Sequence, residues 1–347
     1  MSSRLQALAH RLEAPLLVTN LFNILYLTGF DTSNAGLLVE PDGSATLFTD
    51  FRYIEAARAI EGVEAKLTKR SLIDDIAEHL PAGVQFEAHV LPYSQWQKLS
   101  KAKVQPKATR GIVEELRSVK DEEEQRAIRR AARIADRALE ALTAETWVGK
   151  TERQVAWRLL ELCHAHGADD RAFESIVASG PNGAHPHARP TENVIEKRTL
   201  VTIDWGVRAD GYYSDCTRTF STGGVLPERL REAYDVTLRA QKTAVAGIRA
   251  GMTGVEADRI ARDVIDEAGF GERFGHGLGH GVGLQVHEAP RLSQESEDVL
   301  EPGHCVTVEP GIYLPGLGGV RIEDLAIVRE DGLEVLTSFP KELIEVR

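Results

Sequence analysis

Apolar residues in the first 115 positions fall into short strand-like runs separated by amphipathic stretches. The strand-like runs are APLLVTN, GLLVE and SATLFTD, and Pro41-Asp42-Gly43 is a turn signal between two of them. The stretches FRYIEAARAI and SLIDDIAEHL have the apolar spacing of helices. The pattern therefore predicts an α/β domain over residues 1–115. The polar segment ATRGIVEELRSVKDEEEQ predicts the junction with a second domain over residues 116–347.

The second domain repeats one pattern of helices. A long helix is predicted from about Asp121, with Glu124 placed to close a capping box. Its apolar face, at helical spacing, consists of Ile128, Ala131, Ala132, Ala135, Leu139 and Leu142. Two shorter helices are predicted to open at Gly149-Lys150-Thr151 and Gly251-Met252-Thr253, 102 residues apart, and to close at Gly167 and Gly269. The repetition predicts an internal duplication.

Each copy is followed by an apolar strand that carries one acid. The strands read VTIDWGV and VTVEPGI, and their acids, Asp204 and Glu309, are 105 residues apart. Helix, helix and acidic hairpin thus recur in the same order. This period is too long for a solenoid. It favours one pseudo-symmetric domain with a site between its halves.

The first acidic strand is predicted to form a hairpin that turns at Asp210-Gly211. A two-residue loop there sets Thr217 opposite Asp204 and leaves Asp215 on the same face. The second half supplies Glu309 and then Glu323 in GGVRIED. Burying such acids unpaired costs several kcal/mol or forces protonation, and a divalent cation removes both problems. Four converging carboxylates suggest two metal ions.

Histidines accompany the acids in the glycine-rich segment FGHGLGHGVGLQVHE. It places His276, His280 and His287 within twelve residues. The glycines disfavour a helix and no glutamate follows His276, so the segment is not the helical H-E-x-x-H zinc motif. His185 and His187, in SGPNGAHPHARP, are either substrate-binding groups or ordinary loop residues.

Oxygen-rich ligands with an imidazole favour Mn²⁺ or Co²⁺ over a structural zinc. A pair of metal ions about 3.5–4 Å apart activates water and clamps the oxyanion formed by its attack. The sequence therefore favours hydrolysis of an amide or ester.

Composition limits the remaining classes of function. The formal net charge of −12 argues against nucleic acid and anionic membranes as partners. No apolar run of about 18 residues occurs and the first residues are too polar for a secretory signal, so we expect neither a spanning helix nor export. Three scattered cysteines without a C-x-x-C pair suggest buried thiols in a reducing cytoplasm.

Specific motifs give the chain a resemblance to a known family. The segments VTIDWG, YYSDCTRTF, GHGLGHGVGLQVHEAPR, VTVEPGIY and GGVRIED lie in order over residues 179–325. They resemble the pita-bread metallopeptidases, and among these the Xaa-Pro peptidases, namely prolidase and aminopeptidase P. NILYLTGF and LFTDFRYIEAA resemble the creatinase-like N-terminal domain of such enzymes. The fold implied is α/β (α+β), with that domain followed by a pseudo-two-fold pita-bread domain.

The resemblance also implies roles for single residues. Two divalent ions per subunit, with Mn²⁺ or Co²⁺ favoured and Zn²⁺ as an alternative, would be held by five ligands, Asp204, Asp215, His280, Glu309 and Glu323. Asp215 and Glu323 would bridge the ions. Glu309 would also carry a proton, and His187 and His287 would stabilise the scissile carbonyl. The substrate-binding candidates are Arg291, Arg321, His276 and Arg52. Arg291 is the candidate reader of a dipeptide carboxylate.

The preferred interpretation is a cytoplasmic, homodimeric Xaa-Pro dipeptidase that acts on small peptides with proline at the second position. Three alternatives to it remain. Aminopeptidase P would act on longer Xaa-Pro peptides. Methionine aminopeptidase shares the fold, but the N-terminal unit and VRIED speak against it. A metal-free binding module is disfavoured because all five ligand positions are filled.

Overall fold

The structure, a computed structural model, describes residues 3–69, 71–102 and 104–347. The chain divides into two units, Met1–Arg117 and Ser118–Arg347, each of which is described by itself. Within the described ranges, every helix is too short or too polar to cross a bilayer.

The first unit is built on a mixed six-stranded sheet. Its strand order is β4-β3-β2-β1-β5-β6. The strands are β1 (Leu16–Val18), β2 (Ala35–Val39), β3 (Ala45–Thr49), β4 (Glu64–Leu67), β5 (Gln85–Glu87) and β6 (Lys107–Thr109). The helices are α1 (Ser3–Ala9), α2 (Leu21–Thr28), α3 (Ile54–Ala57), α4 (Leu72–Ala77), α5 (Tyr93–Lys101) and α6 (Ile112–Ser118).

The predicted strands of this unit are confirmed, and two predicted helices are shorter than the apolar pattern suggests. The Pro41-Asp42-Gly43 turn joins β2 to β3, with Gly43 at a φ of 90°. In FRYIEAARAI only α3 is α-helical. The amides of Ala59 and Ile60 bond three residues back, to Ala56 and Ala57, so the chain tightens out of the α-helix.

The second unit contains the longer elements. Its helices are α7 (Glu122–Thr143), α8 (Glu152–Ala165), α9 (Glu228–Gly247) and α10 (Gly254–Glu267). Its strands are β7 (Asp170–Arg171), β8 (Ile176–Ser179), β9 (Leu200–Trp205), β10 (Val207–Ala209), β11 (Tyr212–Tyr213), β12 (Cys216–Ser221), β13 (Gly279–Gly281), β14 (Glu288–Leu292), β15 (Cys305–Val308), β16 (Gly311–Leu314), β17 (Gly318–Arg321), β18 (Asp324–Arg329) and β19 (Gly332–Val335).

The predicted helical repeat is confirmed. Helix α7 begins after Asp121 with the predicted capping box, and the residues of its predicted apolar face are buried. Helices α8 and α10 are both fourteen residues long, and each is capped by a threonine, Thr151 or Thr253, in a capping box. Both copies open with a left-handed glycine and close with another, so the duplication extends to single backbone conformations.

Two acidic hairpins occupy corresponding places after these helices. In the first, β9 pairs with β12 and β8 in the order β12-β9-β8, and Asp204 lies opposite Thr217 as predicted. Asp210 and Gly211 have φ angles of 53° and 82°, which fit a tight two-residue turn. In the second, β15 pairs with β18 within a five-stranded sheet, β14-β13-β15-β18-β19. The hairpin β16–β17 is inserted between the second pair of acids.

Each half has its own hydrophobic core. The first core packs α7 and α8 against β9 and β12 and includes Trp147, Trp205 and Phe220. The second packs α9 and α10 against β15 and β18 and includes Tyr234 and Phe270. The three cysteines, Cys163, Cys216 and Cys305, are free and buried, as predicted. Two rigid cores thus support the two acidic hairpins.

Candidate metal and catalytic site

Acids and a histidine from both halves converge in the second unit. One ligand atom each of Asp215, His280 and Glu323 lies within 4.8 Å of the others. Asp215 precedes β12, whereas Glu323 precedes β18 and donates its amide to the carbonyl of Thr217, 3.0 Å away. This backbone bond crosses from one half to the other and joins the two acidic hairpins.

Two threonines fix the carboxylates of the second half. Thr217 Oγ1 donates to Glu323 Oε2 at 2.7 Å, and Thr307 Oγ1 donates to Glu309 Oε1 at 3.1 Å. Both threonines are fully buried in strands. Sequence reasoning did not assign them roles, because strand threonines are common. The alternation of side chains between the two faces of a strand could have indicated their role. Each threonine lies two residues from a candidate ligand and therefore on the same face.

His280 presents one ring nitrogen to the acids. Its Nδ1 lies 3.1 Å from the carbonyl of Gly281, to which it can donate. That bond leaves Nε2 to face Glu309 Oε1 at 3.2 Å and Asp215 Oδ2 at 3.7 Å. A histidine oriented by a backbone carbonyl with its second nitrogen toward carboxylates is the usual arrangement of a metal ligand.

The buried acids repel one another. Burial, followed by the charges of Glu323, Asp204 and Glu309, raises the pKa of Asp215 well above its usual value. Burial, followed by Glu309 and Asp204, does the same to the pKa of Glu323. Burial also raises the pKa of Glu309, but the hydrogen bond and charge of His280 outweigh it and lower the pKa to about 2. So much negative charge in one place calls for a cation.

The two carboxylate oxygens of Asp204 differ in their hydrogen bonding. Arg321 Nη2 donates to Oδ2 at 2.6 Å, whereas Oδ1 is buried and accepts from none of the residues that the structure describes. A buried carboxylate oxygen without a partner is costly unless something else binds it. This oxygen and the oxygen-rich donor set around it fit divalent metal ions.

Arg321, predicted to bind substrate, is occupied by protein partners. Besides Asp204, it donates to Thr217 Oγ1, to the carbonyl of Pro186 and to the hydroxyl of Tyr313, at 3.1, 3.1 and 2.9 Å. Tyr313 lies 2.9 Å from His276 Nε2, and His276 Nδ1 lies 2.8 Å from the carbonyl of Gly277. His276, a second predicted substrate group, is therefore oriented by this chain of bonds.

The other predicted residues lie in more open positions. The ring of His287 is 4.3 Å from that of His280, centroid to centroid. Burial, and then the charge of His280, lowers the pKa of His287, and His187 and Arg291 contribute to the same shift. His187 and Arg291 are exposed and within electrostatic reach of His287. Arg52 belongs to the first unit, where it binds Asp50 at 2.8 Å.

Comparison with known proteins assigns this arrangement to a family. The profile of metallopeptidase family M24 matches residues 126–330, and that of the creatinase/prolidase N-terminal domain matches residues 3–119. The chain belongs to family M24. This confirms the predicted pita-bread fold and its creatinase-like N-terminal domain.

Relatives of this M24 chain match it over almost its whole length. The Xaa-Pro dipeptidase of Pyrococcus furiosus is 37% identical, over 93% of this chain and 92% of its own. The structure of the Xaa-Pro dipeptidase from Bacillus anthracis is 41% identical, with a TM-score of 0.94, and covers 99% of this chain and 98% of its own. The X-Pro aminopeptidase from Thermotoga maritima is 33% identical, with a TM-score of 0.86, over 96% and 97%.

An ion pair of α10 holds the glycine-rich segment that carries His276 and His280 in the M24 domain. In the second half, Arg262 donates to the carbonyl of His276 at 2.7 Å, and Asp258, which pairs with Arg262, accepts from the amide of Leu278 at 2.9 Å. These bonds fasten the glycine-rich segment to α10. They were not predicted, because a helical i, i+4 ion pair resembles an ordinary surface pair.

The loop after β8 approaches hairpin β16–β17 backbone to backbone. A Cβ atom added to Gly319 would lie 2.0 Å from the carbonyl oxygen of Gly183, and one added to Gly183 would lie 3.3 Å from the amide of Gly319. At residue 319 only glycine permits this approach. The loop that carries His187 is therefore in direct backbone contact with the hairpin that carries Arg321.

Proposed function

We propose that this chain hydrolyses the peptide bond that precedes proline in Xaa-Pro dipeptides with the aid of two divalent metal ions. The observation that carries the proposal is the convergence of buried Asp215 and Glu323 with half-buried His280 at the junction of two duplicated hairpins. Full-length similarity to proteins named Xaa-Pro dipeptidase supports the choice of substrate.

The proposed ligands are those that the resemblance implies: Asp204, Asp215, His280, Glu309 and Glu323. Bound metal would activate water and stabilise developing negative charge on the scissile carbonyl. The oxygen-rich donor set favours Mn²⁺ or Co²⁺, with Zn²⁺ as the alternative. Two observations support this assignment. The buried Oδ1 of Asp204 accepts no hydrogen bond from a described residue, and the pKa values of Asp215 and Glu323 are raised.

The remaining roles belong to side chains around the ligands. Glu309 accepts a proton from the attacking water and passes it to the leaving nitrogen, as a general base and then a general acid. His187 and His287 donate hydrogen bonds to the carbonyl oxygen as charge develops. Arg291 binds the free carboxylate of the dipeptide through its guanidinium. Arg52 remains a candidate substrate contact and, like these roles, a prediction.

A second function, release of the first residue from longer Xaa-Pro peptides, is the alternative. The likeness to the X-Pro aminopeptidase of Thermotoga maritima favours it, at 33% identity over 96% of this chain. The two functions differ in whether the residue after the scissile bond ends in a free carboxylate. A cytoplasmic location and a homodimer complete the proposal.

The test measures hydrolysis of an Xaa-Pro dipeptide by purified protein before chelation, after chelation and after addition of Mn²⁺ or Co²⁺. We expect activity to disappear with chelator and to return with metal. The metal content of the same samples, measured by elemental analysis, should fall and recover together with the activity. Full activity in metal-free protein would contradict the metal centre, and metal binding without hydrolysis of any Xaa-Pro peptide would indicate a binding module.

A further inference from the structure

A buried carboxylate outside the metal site holds the loop that carries His187. Glu152, the first residue of α8, is completely buried and has no part in the proposed chemistry. Its Oε1 accepts from the amide and hydroxyl of Ser179 at 2.6 and 2.9 Å. Its Oε2 accepts from Asn182 Nδ2 at 2.8 Å and from the amide and hydroxyl of Thr191 at 3.0 and 2.7 Å.

These donors come from both ends and the first turn of residues 179–191, which we call the histidine loop. The loop leaves β8 at Ser179 and returns at Thr191 to the start of α8. There the amide of Arg153 donates to the carbonyl of Thr191 at 3.1 Å. The histidine loop is thus closed into a ring around one carboxylate, and His187 lies within this loop, between Asn182 and Thr191 in the sequence.

The charge of Glu152 makes this closure specific. A fully buried carboxylate must be compensated by hydrogen bonds or cations. The start of α8 contributes favourable backbone dipoles, and in the described ranges the five donors come from the histidine loop rather than from a lysine or arginine. A displaced loop would leave the charge without partners, so the carboxylate favours one loop conformation.

The opposite side of the histidine loop reaches the catalytic groups. Arg321 donates to the carbonyl of Pro186 at 3.1 Å, immediately before His187, while Arg321 also binds Asp204. His187 is exposed, and its charge is one of the smaller causes that lower the pKa of His287. The loop is therefore fixed at its base by Glu152 and at its tip by the arginine that contacts a candidate metal ligand.

We propose that Glu152 is a positioning residue, which closes the histidine loop and thereby sets His187 beside His287 for the reaction. This inference rests on the proposed function for the role of His187. The second half contains a similar device, since Asp258 of α10 fastens the segment of His276. Both short helices of the duplication thus present a buried acid to a histidine-bearing segment.

The test is a double-mutant cycle in the metal-loaded enzyme. Glu152→Gln keeps one acceptor oxygen but turns N–H donors toward the donors of Asn182 and Thr191. We expect kcat/KM to fall by about 10²-fold, because a small misplacement of a catalytic group has that effect. The loss should be mainly in kcat, with bound metal unchanged. In a His187→Ala background the same substitution should cost about twofold or less.

A matched control separates positioning from general loss of stability. Asp136 accepts from the amide and hydroxyl of Ser338 at 2.6 and 2.7 Å, which is the same chemistry applied to another segment. The effects of Asp136→Asn and His187→Ala should multiply. If the effects of Glu152→Gln and His187→Ala also multiply, Glu152 does not act through His187 and the proposal is wrong. Should Glu152→Gln fail to fold, Thr191→Val replaces it in the same cycle.

Hydrogen exchange gives a readout that does not need activity. Glu152→Gln should speed exchange in residues 179–191 and leave residues 200–205, which form β9, unchanged. Unchanged exchange in the histidine loop would overturn the proposal even if activity fell. If the wild-type enzyme cleaved no Xaa-Pro peptide, the proposed function would fail, and exchange alone would decide whether Glu152 fixes the loop.

Discussion

Arg321 and Asp204 form an ion pair in which Nη2 lies 2.6 Å from Oδ2, and both side chains are largely buried. The pair joins hairpin β16–β17 to the first acidic strand. The guanidinium of Arg321 thus neutralises part of the negative charge of the site. Removing the cation would leave the buried carboxylate of Asp204 without a hydrogen bond from any residue in the described ranges.

Arg321→Leu should therefore lower the free energy of unfolding of chelator-treated protein by about 3–5 kcal/mol, the scale for breaking a buried pair. Urea denaturation measures the change. Arg231→Leu is the control, since Arg231 faces Asp235 at 3.6 Å on the surface. That control should change stability by about 0.5 kcal/mol or less. Equal losses in the two variants would show that the buried pair has no special weight.

The two neighbouring histidines should separate metal binding from catalysis. His280→Ala removes the nitrogen that faces Asp215 and Glu309, so bound metal should fall. His287→Ala should retain metal and lose activity, by about 2.7–4 kcal/mol in transition-state stabilisation if it acts like an oxyanion donor. Elemental analysis beside kinetics distinguishes the roles. Metal loss only in His287→Ala would reverse the assignment.

Glu309→Gln tests the proton carrier. The amide keeps the size of the side chain and one oxygen but cannot accept the proton from water. We expect kcat to fall by at least about 10²-fold, as general acid–base catalysis contributes on that scale. Metal content must be measured in the same preparation, because the ligand set is altered as well. A wild-type kcat in fully loaded variant would exclude the role.

Arg291 tests the choice between dipeptides and longer peptides. The wild type should prefer an Xaa-Pro dipeptide to its C-terminal amide and to an Xaa-Pro-Xaa tripeptide. Arg291→Ala should reduce kcat/KM for the dipeptide by about 10–100-fold, the worth of hydrogen bonds to a charged group, and change the amide little. Arg259→Ala, at an exposed position of α10, is the control. A preference for the tripeptide would favour the aminopeptidase alternative.

His304 should make stability depend on pH. Burial, and then the charge of Lys120, lowers its pKa from 6.5 to about 4, and its Nδ1 accepts from the amide of Glu301 at 3.0 Å. Between pH 4 and pH 6.5 the imidazole is protonated in the unfolded chain but not in the folded chain, so the free energy of unfolding rises with pH. The contribution is complete above pH 6.5 and falls by about 3 kcal/mol toward pH 4. His304→Gln should lose less stability over this range in urea titrations, and an unchanged slope would refute the effect.

The positions of the acids could be predicted because they follow from local rules. Strand alternation and the two-residue turn at Asp210-Gly211 determine the pairing of Asp204 with Thr217. A capping box likewise predicted the start of α7, and the repeated segments Gly149-Lys150-Thr151 and Gly251-Met252-Thr253 predicted the starts of α8 and α10. These features depend on residues that are close in the sequence, so they can be predicted from the local pattern alone.

The connections between distant segments could not be predicted in the same way. Glu152 resembles any acid in the first turn of a helix, and only the folded chain brings Ser179 and Thr191 to it. Tyr313 resembles an ordinary aromatic residue of a buried strand. Its contacts with His276 and Arg321 depend on the inserted hairpin β16–β17. A buried polar group whose hydrogen-bond partners are distant in the sequence leaves no periodic pattern from which they could be predicted.

The contact between Gly183 and Gly319 limits how substitutions at these two positions can change the distance between the histidine loop and hairpin β16–β17. Two bare backbones already touch there, so no exchange of one residue for another at these positions can bring the histidine loop closer to hairpin β16–β17. A single methyl group at residue 319 would act as a spacer and push the two apart. Substitutions at this contact should therefore widen the separation between the histidine loop and hairpin β16–β17 and never narrow it.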